Sequence, residues 1–375
     1  MPDPNAIPRT PDPHARPGIK LRVEDRLGML DPIQLLPFRS FGTPRLLHVR
    51  GRVREQKGVE GTTEETSVWR NVSNTVHRLE SDEIPGARVR ASLGGRTWET
   101  TTDAEGYFVL DVEPPEPVGA GWHDVELELV ESVGRPACPT ARAQVLVPSP
   151  DAEFAVISDV DDTVIRTRST DLLRELQIVF GKGAQGRAAV PGMPALYRAL
   201  ARGPDDRGEN PVFYVSKSGW NLYDLLEEFM RLNGLPAGPL FLSDLRLVEA
   251  PSEVMGSARH KWDSIDLLMR VYPELPFVLV GDSGMHDPEL YREVVQRHPR
   301  RVRAVYIHDV SPPERDDQVA RIARELDREH GVPLVRMEDA RHAAQHAREH
   351  GLISARGLDE VRNEVAGRED DESQG

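Results

Sequence analysis

Three carboxylates and a threonine follow directly on an apolar run: Phe154 to Ser158 leads into Asp159, Asp161, Asp162 and Thr163. A short continuous apolar run is the mark of a buried parallel strand. Open α/β sheets bind ligands just beyond the carboxyl ends of such strands. Carboxylates crowded there repel unless a cation or a shared proton compensates. The chemistry this suggests is a Mg²⁺ site with an aspartate nucleophile.

Partners follow in chain order. Pro211–Val215 is a second apolar run and ends in Ser216. Lys261 opens a helical pattern that continues to Arg270. Phe277–Val280 is a third run, followed by Gly281 and Asp282, with Asp287 five residues on. Each feature has a bland reading. An aspartate at a strand end is often a helix N-cap, and Ser216 could cap a helix over Trp220–Leu232. Gly281-Asp282 could be a plain turn. Lys261 could be an exposed first-turn lysine. The ordered set is far less ordinary than any one member.

That set resembles the haloacid dehalogenase superfamily of phosphohydrolases. The strings ISDVDDTVIRT, FYVSKSGWNLYDLL and RHKWDSIDLLMRVYPELPFVLVGDSGMHDPELY, with VYIHDV, resemble the catalytic domain of the App1 family of Mg²⁺-dependent phosphatidate phosphatases. The family often has Ser-Pro-Trp where this chain has Ser218-Gly219-Trp220. The resemblance implies an aspartyl-phosphate route. Asp159 would be the nucleophile and Asp161 the general acid/base, two residues apart on one side of an extended segment. Thr163 would order the loop beside the phosphate. Asp162 would face away. Ser216 and Lys261 would bind the phosphoryl oxygens. Asp159, the backbone carbonyl of Asp161 and Asp282 would hold Mg²⁺, with Asp287 as a further ligand or holding a metal-bound water. His286 has no required role, and Lys217 and Trp220 could touch substrate.

Four segments are expected: a Pro-rich, disordered N-terminal segment (1–45), a β-sandwich accessory domain (46–149), a haloacid-dehalogenase-like phosphatase domain (150–355), and a C-terminal helix with an acidic tail (356–375). Within 1–45, residues 19–45 could form a docking helix. Short strands are expected at Leu46–Arg54, Ala87–Leu93, Thr97–Thr102, Tyr107–Val112, Val125–Val130 and Ala143–Val147. Turn signals between them suggest an antiparallel sandwich. Thr102–Phe108 resembles the turn of transthyretin-like or carboxypeptidase-regulatory domains. The catalytic domain should be a Rossmann-like parallel sheet with a small cap from Arg166 to Val190, carrying Arg166, Arg168, Lys182 and Arg187. Pro191–Arg202 would be a core helix and Pro239–Leu242 a strand. Helices are expected at Gln318–His330 and Glu338–His350, with an edge strand at Leu334-Val335. No second cap fits between Leu232 and His260, so the site should be open and suit a bulky substrate.

A net charge of −15 over 375 residues argues against nucleic-acid binding. It also disfavours general adsorption to anionic lipid. The one cysteine, Cys138, excludes an intramolecular disulfide. No stretch is apolar enough to span a bilayer and no signal peptide is evident, so the cytoplasm is expected, with peripheral membrane contact as an option. The partner is a phosphorylated substrate: phosphatidate by resemblance, a phosphoprotein or soluble ester otherwise. A non-catalytic interaction module is the alternative of a different class. Oligomeric state is not legible. Phosphonatase chemistry would need a cap lysine, for which Lys182 is the sole candidate.

Overall fold

The computed structural model describes residues 21, 25–27, 29–55, 83–161, 163, 189–208, 210–243 and 253–374. The expected cap and its basic residues, and Asp162, lie outside them. The chain divides into two compact units, Met1–Ser149 and Pro150–Gly375.

The first unit is built on eight strands: β1 (Ile33–Thr43), β2 (Leu46–Glu55), β3 (Arg88–Leu93), β4 (Arg96–Thr101), β5 (Tyr107–Val112), β6 (Gly121–Glu131), β7 (Pro136–Cys138) and β8 (Thr140–Val147). They do not form two separate antiparallel layers. A single sheet runs β4-β3-β6-β8-β1-β2-β5, with β7 beside β1. It curls until its outer strands β4 and β5 approach each other, which gives a barrel-like shape. The sheet is mixed because β1 runs parallel to β8 and to β7. Alternating Val89/Ala91, Phe108/Leu110/Val112 and Val125/Leu127/Leu129 fill its interior, as period-2 patterning requires.

Strand β1 corrects the expectation of disorder, or a docking helix, over its span. Ile33 and Leu35 enter the core, and the strand pairs with β2 through a tight connection at Pro44-Arg45. Pro37 and a register shift between Phe38 and Phe41 interrupt its alternation, which hides it from a pattern search.

The second unit holds a wholly parallel six-stranded sheet: β9 (Ala155–Asp159), β10 (Val212–Gly219), β11 (Leu240–Ser243), β12 (Phe277–Asp282), β13 (Val302–His308) and β14 (Leu334–Met337). Its helices are α1 (Met193–Arg202), α2 (Tyr223–Leu232), α3 (Glu253–Val271), α4 (Asp287–Arg297), α5 (Asp316–His330), α6 (Ala340–Glu349) and α7 (Ala355–Gln374). Every residue of β9 and β12 is buried, as expected for central strands covered on both faces.

The spatial order is β11-β10-β9-β12-β13-β14. The chain winds outward one way from β9, then crosses back through α3 and winds the other way from β12. The reversal falls between β9 and β12, and a crevice opens at the carboxyl ends of such a pair. Asn210 pins the entry to β9. Its side-chain carbonyl accepts from the amides of Glu153 (2.9 Å) and Phe154 (3.3 Å), and its amide donates to Leu200 O (2.9 Å).

Two further expectations need correction. The acidic residues 369–372 are not a separate tail but continue helix α7. That helix packs on α1 and α6 inside the second unit, through Arg198–Glu364 and Arg341–Glu369 among other pairs. Lys261 does not open a helix: α3 begins at Glu253, so Lys261 sits mid-helix.

Candidate active site

The crevice between β9 and β12 collects the charged residues of the unit. Asp159 is the last residue of β9 and Asp282 the last of β12. Asp287 begins α4, where the positive end of the helix favours a carboxylate. One carboxylate oxygen from each lies within 4.8 Å of the others, and all three residues are buried. Gly281 permits this approach. A Cβ there would lie 2.5 Å from Asp287 Oδ2 and 2.9 Å from the Tyr291 ring. Asp287 Oδ2 also accepts from the Asp282 amide (3.2 Å), and Asp282 Oδ1 accepts from the Met285 amide (2.9 Å).

Lys261 reaches this trio from α3. Its Nζ stands 2.8 Å from Asp159 Oδ1 and 2.7 Å from Asp287 Oδ1, with only 4% of the side chain exposed. Burial alone would lower the pKa of the ammonium. The charges of Asp159, Asp287 and Asp282 outweigh that and hold its pKa above the usual lysine value. For Asp159 burial dominates in the opposite sense. It pushes the carboxyl well above its ordinary range; Lys261 pulls it down, while Asp287, Asp161 and Asp282 push it further up.

Asp161 is buried too, but its carboxylate stands outside the trio. Ser216 Oγ donates to its Oδ2 (2.9 Å) and Ser218 Oγ to its Oδ1 (3.4 Å). Ser216 thus faces the expected acid/base, and its oxygen also accepts from the Ser218 amide (3.0 Å). Thr163 is buried, with its hydroxyl 3.5 Å from Asp159 Oδ2. Asp159, Asp161, Thr163, Ser216, Lys261, Asp282 and Asp287 therefore meet at one crevice. His286 immediately precedes α4 and contributes no side-chain cap.

Several positioning residues escape a sequence reading. Ser158 donates to the Asp159 carbonyl (2.6 Å) and also contacts the Tyr197 hydroxyl. Ser283 is engaged at every polar atom. Its amide donates to His308 O, its hydroxyl donates to Asp309 and accepts from the amides of Val310 and Ser311, and its carbonyl accepts from Arg315 Nε (2.6 Å). Arg315 donates as well to Met285 O and pairs with Glu289 (2.8 Å). The segment joining Asp282 to Asp287 is thereby tied to residues 308–315. The Gly-Asp-Ser string marks Ser283, but nothing local marks Arg315.

The oxygen-only donor trio suits a hard cation such as Mg²⁺ rather than a soft one. Four buried carboxylates against one ammonium also leave a negative excess that a divalent cation would offset. The residues present fit the ion.

Residues 154–309 match the family described as phosphatidate phosphatase APP1, catalytic domain. Over that span the chain is similar to the APP1-family catalytic domain. It is 32% identical over 172 residues to phosphatidate phosphatase APP1 of Saccharomyces cerevisiae, covering 44% of this chain and 28% of that protein. An uncharacterized protein of Schizosaccharomyces pombe is 25% identical over 215 residues, covering 57% of this chain and 34% of its own length. The chain thus spans about a third of these two relatives. A solved carbohydrate acetylesterase from Xanthomonas citri aligns over 80% of this chain and 75% of its own at 12% identity, but its TM-score of 0.25 is too low to bear on the fold. The APP1-family match ends at Asp309, so Arg315 and α5–α7 lie beyond it. No helix among the described residues is long and apolar enough to cross a membrane.

Proposed function

We propose that residues 150–375 form a haloacid-dehalogenase-type phosphatase domain, Rossmann-like in its parallel sheet, that hydrolyses a phosphomonoester with phosphatidate as the favoured substrate. The observation that carries the reading is the Lys261 bridge between Asp159 and Asp287, with Asp282 beside them, at the reversal point of the sheet. The match to the APP1 catalytic domain supports the substrate class.

Asp159 is the nucleophile. Lys261 holds one of its oxygens, which orients the carboxylate and opposes the rise in its pKa. Attack at phosphorus forms the Asp159–phosphate bond and breaks the ester bond. Asp161 gives its proton to the departing alkoxide, and the Ser216 and Ser218 hydroxyls fix the direction in which it does so. Asp161 then takes a proton from the water that hydrolyses the aspartyl-phosphate, and free phosphate leaves. Asp159, Asp282 and Asp287, with the Asp161 carbonyl, would hold Mg²⁺. When bound, the ion neutralises charge on the phosphoryl oxygens.

The test is phosphate release by the full chain on dispersed phosphatidate and on a soluble aryl phosphate, with and without Mg²⁺. Release that needs Mg²⁺ and vanishes in Asp159→Asn is expected. Preference for the aryl phosphate would reassign the substrate, and equal release by Asp159→Asn would remove the nucleophile.

A further inference from the structure

Lys217 is a cation that the chemistry above does not use. It lies on β10 between Ser216 and Ser218, the two residues that grip Asp161. Its backbone is fixed, since Ser243 of β11 donates to its carbonyl. Its ammonium touches, among the described residues, only the thioether of Met285, at 3.5 Å. A thioether is a weak acceptor and carries no charge. Lys261, by contrast, has two carboxylates.

The direction of the side chain is informative. Met285 follows β12, and β9 lies between β10 and β12. Two strand spacings are about 10 Å, so Lys217 and Met285 must reach toward each other over the carboxyl end of β9. That end carries Asp159 and Asp161. A lysine that served only to solvate the surface would extend into water; this one is half-buried and its ammonium meets Met285, which lies between Asp282 and Asp287 in the chain.

We propose that Lys217 is a substrate-contacting, specificity-determining residue that receives outer oxygens of the phosphate group and sets affinity for a phosphate dianion. This rests on the phosphatase reading above. An ammonium with no carboxylate partner among the described residues can turn to an incoming anion, and a charge-assisted contact to phosphate is among the stronger hydrogen bonds. Lys261 keeps Asp159 in place from below, and Lys217 meets the ligand from the open side. Lys217 thus acts on binding more than on the chemical step.

The experiment uses the full chain with Mg²⁺: wild type, Lys217→Gln and Lys217→Arg. Thermal shift with inorganic phosphate measures ligand affinity without turnover, and aryl phosphate kinetics separate KM from kcat. In Lys217→Gln, KM and the phosphate dissociation constant should both rise roughly tenfold or more, with kcat changed much less. Lys217→Arg should restore most of both. The melting temperature without phosphate should match wild type, because the Ser243 bond is to backbone. Unchanged KM and phosphate affinity in Lys217→Gln would overturn the proposal, as would a loss confined to kcat. Should wild type bind phosphate but turn over no ester, the phosphatase reading fails, while the phosphate shift in Lys217→Gln still decides the role of Lys217.

Discussion

Replacing Lys261 with methionine tests the charge logic of the crevice through stability rather than activity. The side chain keeps its length and loses its charge. At an effective dielectric of about 20, each contact near 2.8 Å is worth roughly 6 kcal/mol of gross Coulomb energy, so the two together approach about 12 kcal/mol. Desolvation of the buried ammonium offsets much of that, and breaking a buried pair typically costs about 3–5 kcal/mol. A second limit comes from protonation. The variant can keep the net charge of its cluster by binding one proton more than wild type, and Asp159 is the group already pushed toward protonation, first by burial. Protonating a carboxyl of ordinary pKa near 3.9 costs about 4 kcal/mol at pH 7 and about 1.5 kcal/mol at pH 5.

The signs agree. Lys261 has a raised folded pKa, so its own contribution is fully present below the unfolded lysine value near 10.4 and is lost only above it. It is constant over pH 5–8. Asp159 has a raised folded pKa, so the folded state gains relative stability as pH falls toward the unfolded carboxyl value. The difference between variant and wild type should therefore be about 3–4 kcal/mol at pH 7 and shrink toward pH 5, by at most about 1.4 kcal/mol per pH unit where the variant binds one whole proton that wild type does not. Metal-free urea unfolding of the full chain, read by hydrogen exchange at β9 and β12 amides, measures it where it matters. A loss that does not vary between pH 5 and pH 8, or one below about 1 kcal/mol at pH 7, refutes the reasoning.

Two further substitutions separate chemistry from positioning. Asp161→Asn should leave folding intact, because the amide oxygen can still accept from Ser216, and should lower kcat about 10²–10⁴-fold, checked by steady-state kinetics. Arg315→Met should raise the Mg²⁺ concentration needed for half-maximal phosphate release about 10–100-fold, because the Ser283–Met285 segment loses two of its ties; Mg²⁺ titrations of both proteins decide it.

The parallel strands were readable because central strands of such a sheet are unbroken apolar runs, and Ala155–Asp159 and Phe277–Asp282 are of that kind. Tyr107–Val112 was readable as a short β-prone run between the turn signals Asp103–Gly106 and Pro114-Pro115. The curl of the first sheet was not. It depends on β1 pairing in parallel with β8, about a hundred residues away, and a local pattern carries no information about register at that distance. The true start of α3 was obscured by the mixed stretch Glu253–His260, with Gly256 and Ser257 inside it, ahead of the clearly amphipathic half. The grouping of acids and lysine could be anticipated from order along the chain, but the bonds of Ser216 to Asp161 and of Arg315 to Ser283 are tertiary, and residue type alone does not specify them.

In the state where Asp161 has given up its proton, the balance of charge gives a second lysine a role. Asp159, Asp161, Asp282 and Asp287 against Lys261 leave three net negative charges if all ionise. A divalent cation held there would reduce that to one, which still repels a phosphate dianion. An inner lysine cannot remove this repulsion: its charge is already matched by Asp159 and Asp287 at 2.8 and 2.7 Å. A further cation, with no carboxylate partner among the described residues, would bring the fully ionised, loaded crevice to neutrality where the ligand arrives. Lys217 is placed to supply that charge. Its one described side-chain contact, the Met285 sulfur, is cheap to give up when an anion enters.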